Sequence, residues 1–333
     1  MAEGARGGGG GVARVTLEIA QHPLPTDKAV VGVCRGLDRT RYALCCNAME
    51  QDASATASPG SVLLACPPDG TWETLARLPD LSLRSLCCTS DGRLFACGVA
   101  GACVEYDLAS RALVRYRTGT RDVLWSVHGL RRDALWAAGE GALLRFDGTS
   151  FHAMDLAAAL GPGAWPTLVA VHAAEDEAIA VGTQLSGACL VRLGRNGALP
   201  RAEAVGAHFL YACAALGGED ALALGNDGAW RRSASGWERE VDLSTRDFRP
   251  FGRPGCIGLH GGRVALCSVD GVDVLRALLT ERSSLGGRVL NLWLGDEHLR
   301  LSLDTTAGVT FLGLEPGRLV IGLPGQLWDA ALP

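Results

Sequence analysis

The chain has a single lysine, Lys28, so 30 of its 31 basic residues are arginine, and it has no excess of positive charge. With 36 acidic residues the net charge is −5. That balance argues against surface-wide attraction to nucleic acid or to an anionic membrane, since both need excess cationic groups. No apolar run approaches the roughly 18 residues a spanning helix needs. Cys-x-x-Cys is absent, and with it the commonest framework of a zinc site. Met1 to Gly11 is polar and glycine-rich with no apolar stretch behind it, so no secretory signal is read and a cytoplasmic setting is expected. Residues 1–11 are read as a disordered tether and 12–333 as one folded domain.

What is present is a glycine-rich, ordinarily hydrophobic chain: 44 glycines, 48% hydrophobic and 20% charged residues. Such a chain has ample apolar surface to fold. The 12 cysteines fall inside apolar runs such as Tyr42-Ala-Leu-Cys-Cys46 and are read as small buried hydrophobes rather than disulfides.

The short apolar runs repeat. The plainest copy reads Val123-Leu-Trp-Ser-Val-His-Gly129, then Ala134-Leu-Trp-Ala-Ala-Gly139, then Ala142-Leu-Leu-Arg-Phe146, then Ser150-Phe-His-Ala-Met154. These are four strands joined by turns rich in Gly and Asp-Gly, which suit tight hairpins. The residue ending each second strand sets a register: Gly98, Gly139, Gly182, Gly225 and Ser268, spaced by 41, 43, 43 and 43 residues. Two residues earlier stand Ala96, Ala137, Ala180, Ala223 and Leu266, mostly small, as expected where sheets face each other closely. A divergent unit through residues 31–75 and another through 289–321 bring the expected count to seven. The run Val12 to Ile19 is a candidate strand for closing the ring. Four-stranded units at this period predict an all-β chain, a single β-propeller of about seven antiparallel blades.

The Leu124-Trp-Ser-Val-His-Gly, Leu135-Trp-Ala-Ala-Gly-Glu-Gly and Arg145-Phe-Asp-Gly-Thr segments resemble the repeat of bacterial β-propeller proteins of the broad WD-repeat and kelch-like kind. The resemblance implies the architecture and a tendency toward binding roles; a fold alone does not fix a function.

Aligned inner strands place Cys34, Cys87, His128, His172, Ala214, His260 and Trp293 in one column. A metal ring is one reading. The other is that these side chains bond to the backbone of the neighbouring blade. Turns between first and second strands share one face. The first three units set Arg39, Arg41, Arg93, Arg131 and Arg132 there against Asp38, Asp91 and Asp133. Later units contribute only acids, Glu175, Asp176, Glu177, Glu219, Asp220, Asp296 and Glu297. A bipolar face is expected, one that would orient a charged partner. The bland alternative is a solvated set of turns.

The opposite face carries the second-to-third turns, the connections between blades, and the longer insertions 47–61, 155–167 and 241–255. Long loops on a rigid scaffold are where recognition is commonly built. Arg246, Phe248, Arg249, Phe251 and Arg253 alternate arginine with phenylalanine around Pro250 and Pro254 in the third insertion, a composition typical of interface hot spots. Trp165, between Gly163 and Pro166, is a second candidate. For both, the alternative is aromatic rings folded back into a blade junction. Glu140, Asp227, Asp270 and Asp304 lie near turns on this face and are the candidate ligands of a divalent cation, although Asp before Gly also suits a hairpin for backbone reasons. The expected function is therefore a non-catalytic scaffold for a protein partner, without cofactor, nucleic acid or membrane. The alternatives are a propeller hydrolase or lyase with a channel-mouth cation, and an immunity-like inhibitor of a toxic protein.

Overall fold

The computed structural model describes residues 2–6, 14–47, 60–175, 177–194, 199–243, 255–260, 263–269, 289–294, 297–303 and 309–332. Among these the architecture is a ring of antiparallel sheets. Blades 1 to 5 are four-stranded and follow in chain order over residues 29–78, 83–116, 124–153, 167–202 and 210–242. A six-stranded sheet comes next, with four strands between 255 and 302. A closing blade takes three strands between 311 and 331 and a fourth, Ile19–Pro23, from near the chain start. The first strand of each sheet is innermost and packs beside the first strand of the next, and Phe311–Glu315 returns to pack against Ala29–Arg35. The protein is a β-propeller.

The structure corrects the expected count and the closing register. Six blades are four-stranded, not seven. The sheet containing Ser268 has six strands because Ala2–Arg6 adds to the edge strand Glu297–Ser302, and Arg14–Leu17 pairs outside it. An outermost strand exposes unpaired backbone groups, and a further strand satisfies them. Val289–Leu294 and Glu297–Ser302 complete that sheet rather than opening the last blade, so Trp293 stands on a third strand and not in the inner column. Ring closure is made by Ile19–Pro23, paired from Ile19 with Ala330 to Pro23 with Gln326, and not by the Val12 to Ile19 run.

Successive residues of a strand face opposite ways, so each second strand serves two interfaces at once. Ala96, Ala137, Ala180 and Ala223 are buried against the preceding blade. Phe95 and Cys97, like Trp136 and Ala138, are buried against the following one. The marker glycines have a steric cause. A Cβ at Gly98, Gly139 or Gly182 would run into the carbonyl oxygen of Ser82, Val123 or Thr167, the residue that leads into the blade's own first strand. The hydrophobic core is thus a series of between-blade layers. Eleven of the cysteines have described side chains; all eleven are free thiols, and seven are buried. Among the described residues no helix is long and apolar enough to cross a membrane.

Candidate functional site

The inner column does hydrogen-bonding work between blades. Cys87 Sγ lies 3.4 Å from the Gly129 N–H and 3.3 Å from its carbonyl. His128 Nδ1 accepts from the Ala173 N–H at 3.0 Å, and His172 Nδ1 accepts from the Ala215 N–H at 3.1 Å. Ser85 and Ser126 hydroxyls accept in the same way from Val127 and Val171. Inner-strand amides on the open edge have no sheet partner, so the preceding blade supplies one. Burial pushes His172 down to about 4, and burial together with His172 pushes His128 well below its ordinary value. Both are neutral rings held by backbone donors. The side chains of His260 and Trp293 lie outside the described residues, and no group of three or more metal-capable side chains occurs among the described ones.

On the face of first-to-second turns most of the expected free charge is consumed in ion pairs. Glu177 meets Arg192 at 2.5 Å, Asp220 meets Arg231 at 2.7 Å, and Arg131 meets Asp133 at 2.8 Å. Two buried acids that the sequence reading missed tie blades together. Glu105 of blade 2 accepts from Arg132 of blade 3 at 3.0 Å and from Tyr116 at 2.5 Å. Asp329 of the closing blade, 2% exposed, meets Arg41 of blade 1 at 2.5 Å, Arg318 at 3.0 Å and His22 at 3.1 Å. Burial alone would raise the Asp329 carboxyl, but the hydrogen bond and charge of Arg41 bring it below the usual range. These are alternating residues inside strands, so nothing in a turn-by-turn charge reading points to them. A cavity of about 290 Å³ opens between the inner strands on this side, lined by Cys34, Cys87, Cys88, His128, Phe311 and Glu315 among others.

The insertion-bearing face is built differently. Asp155 caps the short helix Leu156–Leu160 by accepting from the Ala158 N–H at 3.1 Å, and Leu156 is buried in the layer between blades 3 and 4. The chain then returns through Trp165, whose ring lies on Gly141 at a positive φ of 60°, where a Cβ would overlap the indole. The Gly141 N–H donates to the Pro166 carbonyl at 2.8 Å and fixes that approach. Trp165 is nonetheless 66% exposed. Its insertion is therefore an ordered platform, not a plug. Leu185, on the next blade's hairpin tip, is fully exposed, and Phe209, entering blade 5, is partly exposed. Three large apolar groups thus stand at successive stations on one face.

Arg246, Phe248, Arg249, Phe251 and Arg253 lie outside the described residues, as do Asp270 and Asp304. The flanks of the third insertion are placed: Leu243 is buried and donates its N–H to the Asp227 carbonyl at 2.9 Å, and Gly255 opens the six-stranded sheet. Glu140 and Asp227 sit on hairpins two blades apart, each shaped by local bonds. The Glu140 N–H donates to the Val123 carbonyl at 3.0 Å, and Asp227 faces Arg239 at 3.9 Å. Asp304 follows the fourth strand Glu297–Ser302 rather than ending a second strand.

No family model and no curated protein match this chain in sequence. Solved structures match it in fold. A catalytically inactive virginiamycin B lyase from Staphylococcus aureus, solved with quinupristin, aligns with a TM-score of 0.69 at 10% identity, over 96% of this chain and 100% of its own. U3-55K aligns at 0.65 with 11% identity, over 95% of this chain and 98% of its own. YCF48, solved bound to a D1 peptide, aligns at 0.61 with 10% identity, over 95% of each chain. At such identities the likeness is one of fold, the β-propeller.

Proposed function

We propose that this propeller is a non-catalytic binding module that takes a protein partner on its insertion-bearing face. The observation that carries the reading is Trp165, a large aromatic held at 66% exposure by an ordered loop and a glycine that only its ring occupies. A rigid exposed indole loses little conformational entropy on binding and offers a large contact area, the profile of an interface anchor. Leu185 and Phe209 extend the apolar arc along the same face. The third insertion leaves from Leu243 and returns at Gly255, so its arginines and phenylalanines, with Arg249 and Phe251 at their centre, join the same surface in this reading. A solved neighbour bound to a peptide supports a binding role for the architecture.

The test is site-specific photo-crosslinking in source cells. A benzoylphenylalanine at position 165 is expected to yield one discrete adduct, while the same group at position 37, an exposed leucine on the opposite face, yields none. Equal crosslinking from both faces, or none from position 165, would overturn the assignment.

A further inference from the structure

Five innermost strands carry a bulge at their second or third residue, just after they enter from the insertion-bearing face. Pairing skips Val31, Arg84, Trp125, Val169 and Tyr211. A bulged residue is re-aimed relative to its neighbours. Around Arg84, Leu83 and Leu86 pack in a between-blade layer; around Trp125, Leu124 and Val127 do the same; around Tyr211, Leu210 and Ala212 serve the layers on either side. Trp125, Val169 and Tyr211 belong to none of these layers, and Arg84 holds the same bulged position on its strand; all four are at least partly buried. For a side chain on an innermost strand that serves neither neighbouring blade, the direction left is the central channel.

The polar ends of this group are unsatisfied. Arg84 Nε and Nη1 are buried with no hydrogen-bond partner, and Arg84 is the only described residue with two such donors. Trp125 Nε1, on the next inner strand, is likewise buried and unpaired. The two strands are locked side by side by the Ser85–Val127 hydrogen bond, and Arg84 and Trp125 hold the equivalent bulged positions on them. A guanidinium stays charged at any ordinary pH, and burying it without a counter-charge is costly. Among the described residues Arg41 has Asp329, Arg132 has Glu105 and Arg232 has Glu203, while Arg145, whose Nε is also buried and unpaired, stands over the Trp136 ring. Arg84 has neither an acid nor a ring beside it among the described residues, which leaves its two buried donors open to a ligand.

We propose that the channel end ringed by the bulges is a binding site for a small carboxylate with an apolar or aromatic body. Arg84 and the Trp125 N–H take the carboxylate oxygens, and the Trp125, Val169 and Tyr211 side chains pack on the apolar part. Charge-assisted bonds from a planar guanidinium suit a carboxylate, and a mostly apolar wall with a few convergent donors is the general form of a small-molecule site. This proposal does not rest on the protein-binding reading, because Arg84, Trp125, Val169 and Tyr211 are none of the residues assigned to that face.

Calorimetric titration of the full chain with 3-phenylpropionate, 3-phenylpropanol and inorganic phosphate tests it, beside Arg84→Met and Trp125→Phe. The expected result is saturable binding of 3-phenylpropionate, no binding of the alcohol, and weaker or no binding of phosphate. Arg84→Met should weaken the carboxylate by at least about thirtyfold while raising the thermal midpoint of the unliganded chain, because it removes an unpaired buried charge. Trp125→Phe should weaken it by about tenfold with the fold unchanged. A structural arginine gives the opposite signature: Arg84→Met lowers the midpoint, which would overturn the proposal. So would unaltered binding in both variants, tighter binding of phosphate than of carboxylate, or no saturable carboxylate binding up to about 10 mM.

Discussion

The imidazoles of His128 and His172 stack face to face, with centroids 4.0 Å apart and planes inclined by 21°. Each accepts a backbone N–H from the blade that follows its own, so two rings join three consecutive blades. An acceptor at Nδ1 requires a ring that is not protonated there. The stack therefore depends on neutrality, and burial enforces it.

Stability should consequently fall as acid is added through the histidine range. In the unfolded chain these rings take up a proton near pH 6.5, whereas His172 in the folded chain does so only at about 4. Below pH 6.5 the unfolded state binds more protons, so the contribution is complete above that pH and is lost as pH drops toward 4. For His172 the loss is at most about 3 kcal/mol. His172→Asn retains an acceptor without titrating, and its urea midpoint should fall less than the wild type's between pH 7 and 4. Identical pH profiles would contradict this.

The marker glycines make a second, graded prediction. At Gly182 a Cβ would overlap the Thr167 carbonyl, which belongs to the entry of the blade's first strand and has nowhere to move. At Gly225 the closest approach is a milder 2.9 Å to the Phe209 carbonyl. Gly182→Ala is expected to cost about 2–3 kcal/mol and Gly225→Ala clearly less. Equal losses in denaturant melts would remove the steric explanation of the 43-residue register.

That register is what made the architecture legible. The glycines and the alanines two positions before them record contacts between adjacent strands and sheets, and such contacts recur wherever blades recur. Closure was misread because Ile19–Pro23 pairs with a strand some 300 residues away, and pairing partners leave no local trace. Trp165 stood out by its Gly and Pro neighbours, yet whether it plugs a junction or faces solvent depends on Gly141, a contact across the fold. Arg84 carried no signal at all. A one-residue bulge cannot be distinguished from regular alternation in a strand as mixed as Leu83–Cys88, and the absence of a partner exists only in three dimensions.

Asp329 should be a main fastening of the ring. It lies on the strand that receives Ile19–Pro23 and reaches Arg41 on blade 1, so it joins both sides of the closure. Asp329→Asn preserves the shape but leaves Arg318 without its acid and Arg41 with Glu315 alone, at a cost near the roughly 3 kcal/mol lower end for a broken buried pair. Asp80→Asn serves as the contrast. Asp80 also meets an arginine, Arg115, at 2.5 Å, but both are exposed and solvent already screens them. Thermal melts are expected to separate the two variants widely, and comparable shifts would show that Asp329 does not fasten the closure.

Trp165→Ala tests the binding face without disturbing the fold. Because the indole is mostly solvent-exposed and the loop is anchored by Asp155, Leu156 and the Gly141–Pro166 bond, the variant should melt with the wild type. It should lose the partner crosslinked from position 165, since truncating an interface anchor commonly costs 2 kcal/mol or more, roughly thirtyfold in affinity. Gly141→Ala approaches the same residue from beneath. The added methyl occupies the space of the ring and displaces Trp165 without removing it. If the geometry of the platform matters and not merely its hydrophobicity, Gly141→Ala should also impair the partner, whereas Leu37→Ala on the opposite face should not. Retained binding in Gly141→Ala with loss in Trp165→Ala would mean that the indole binds wherever it is held, and that the platform is not a prearranged surface.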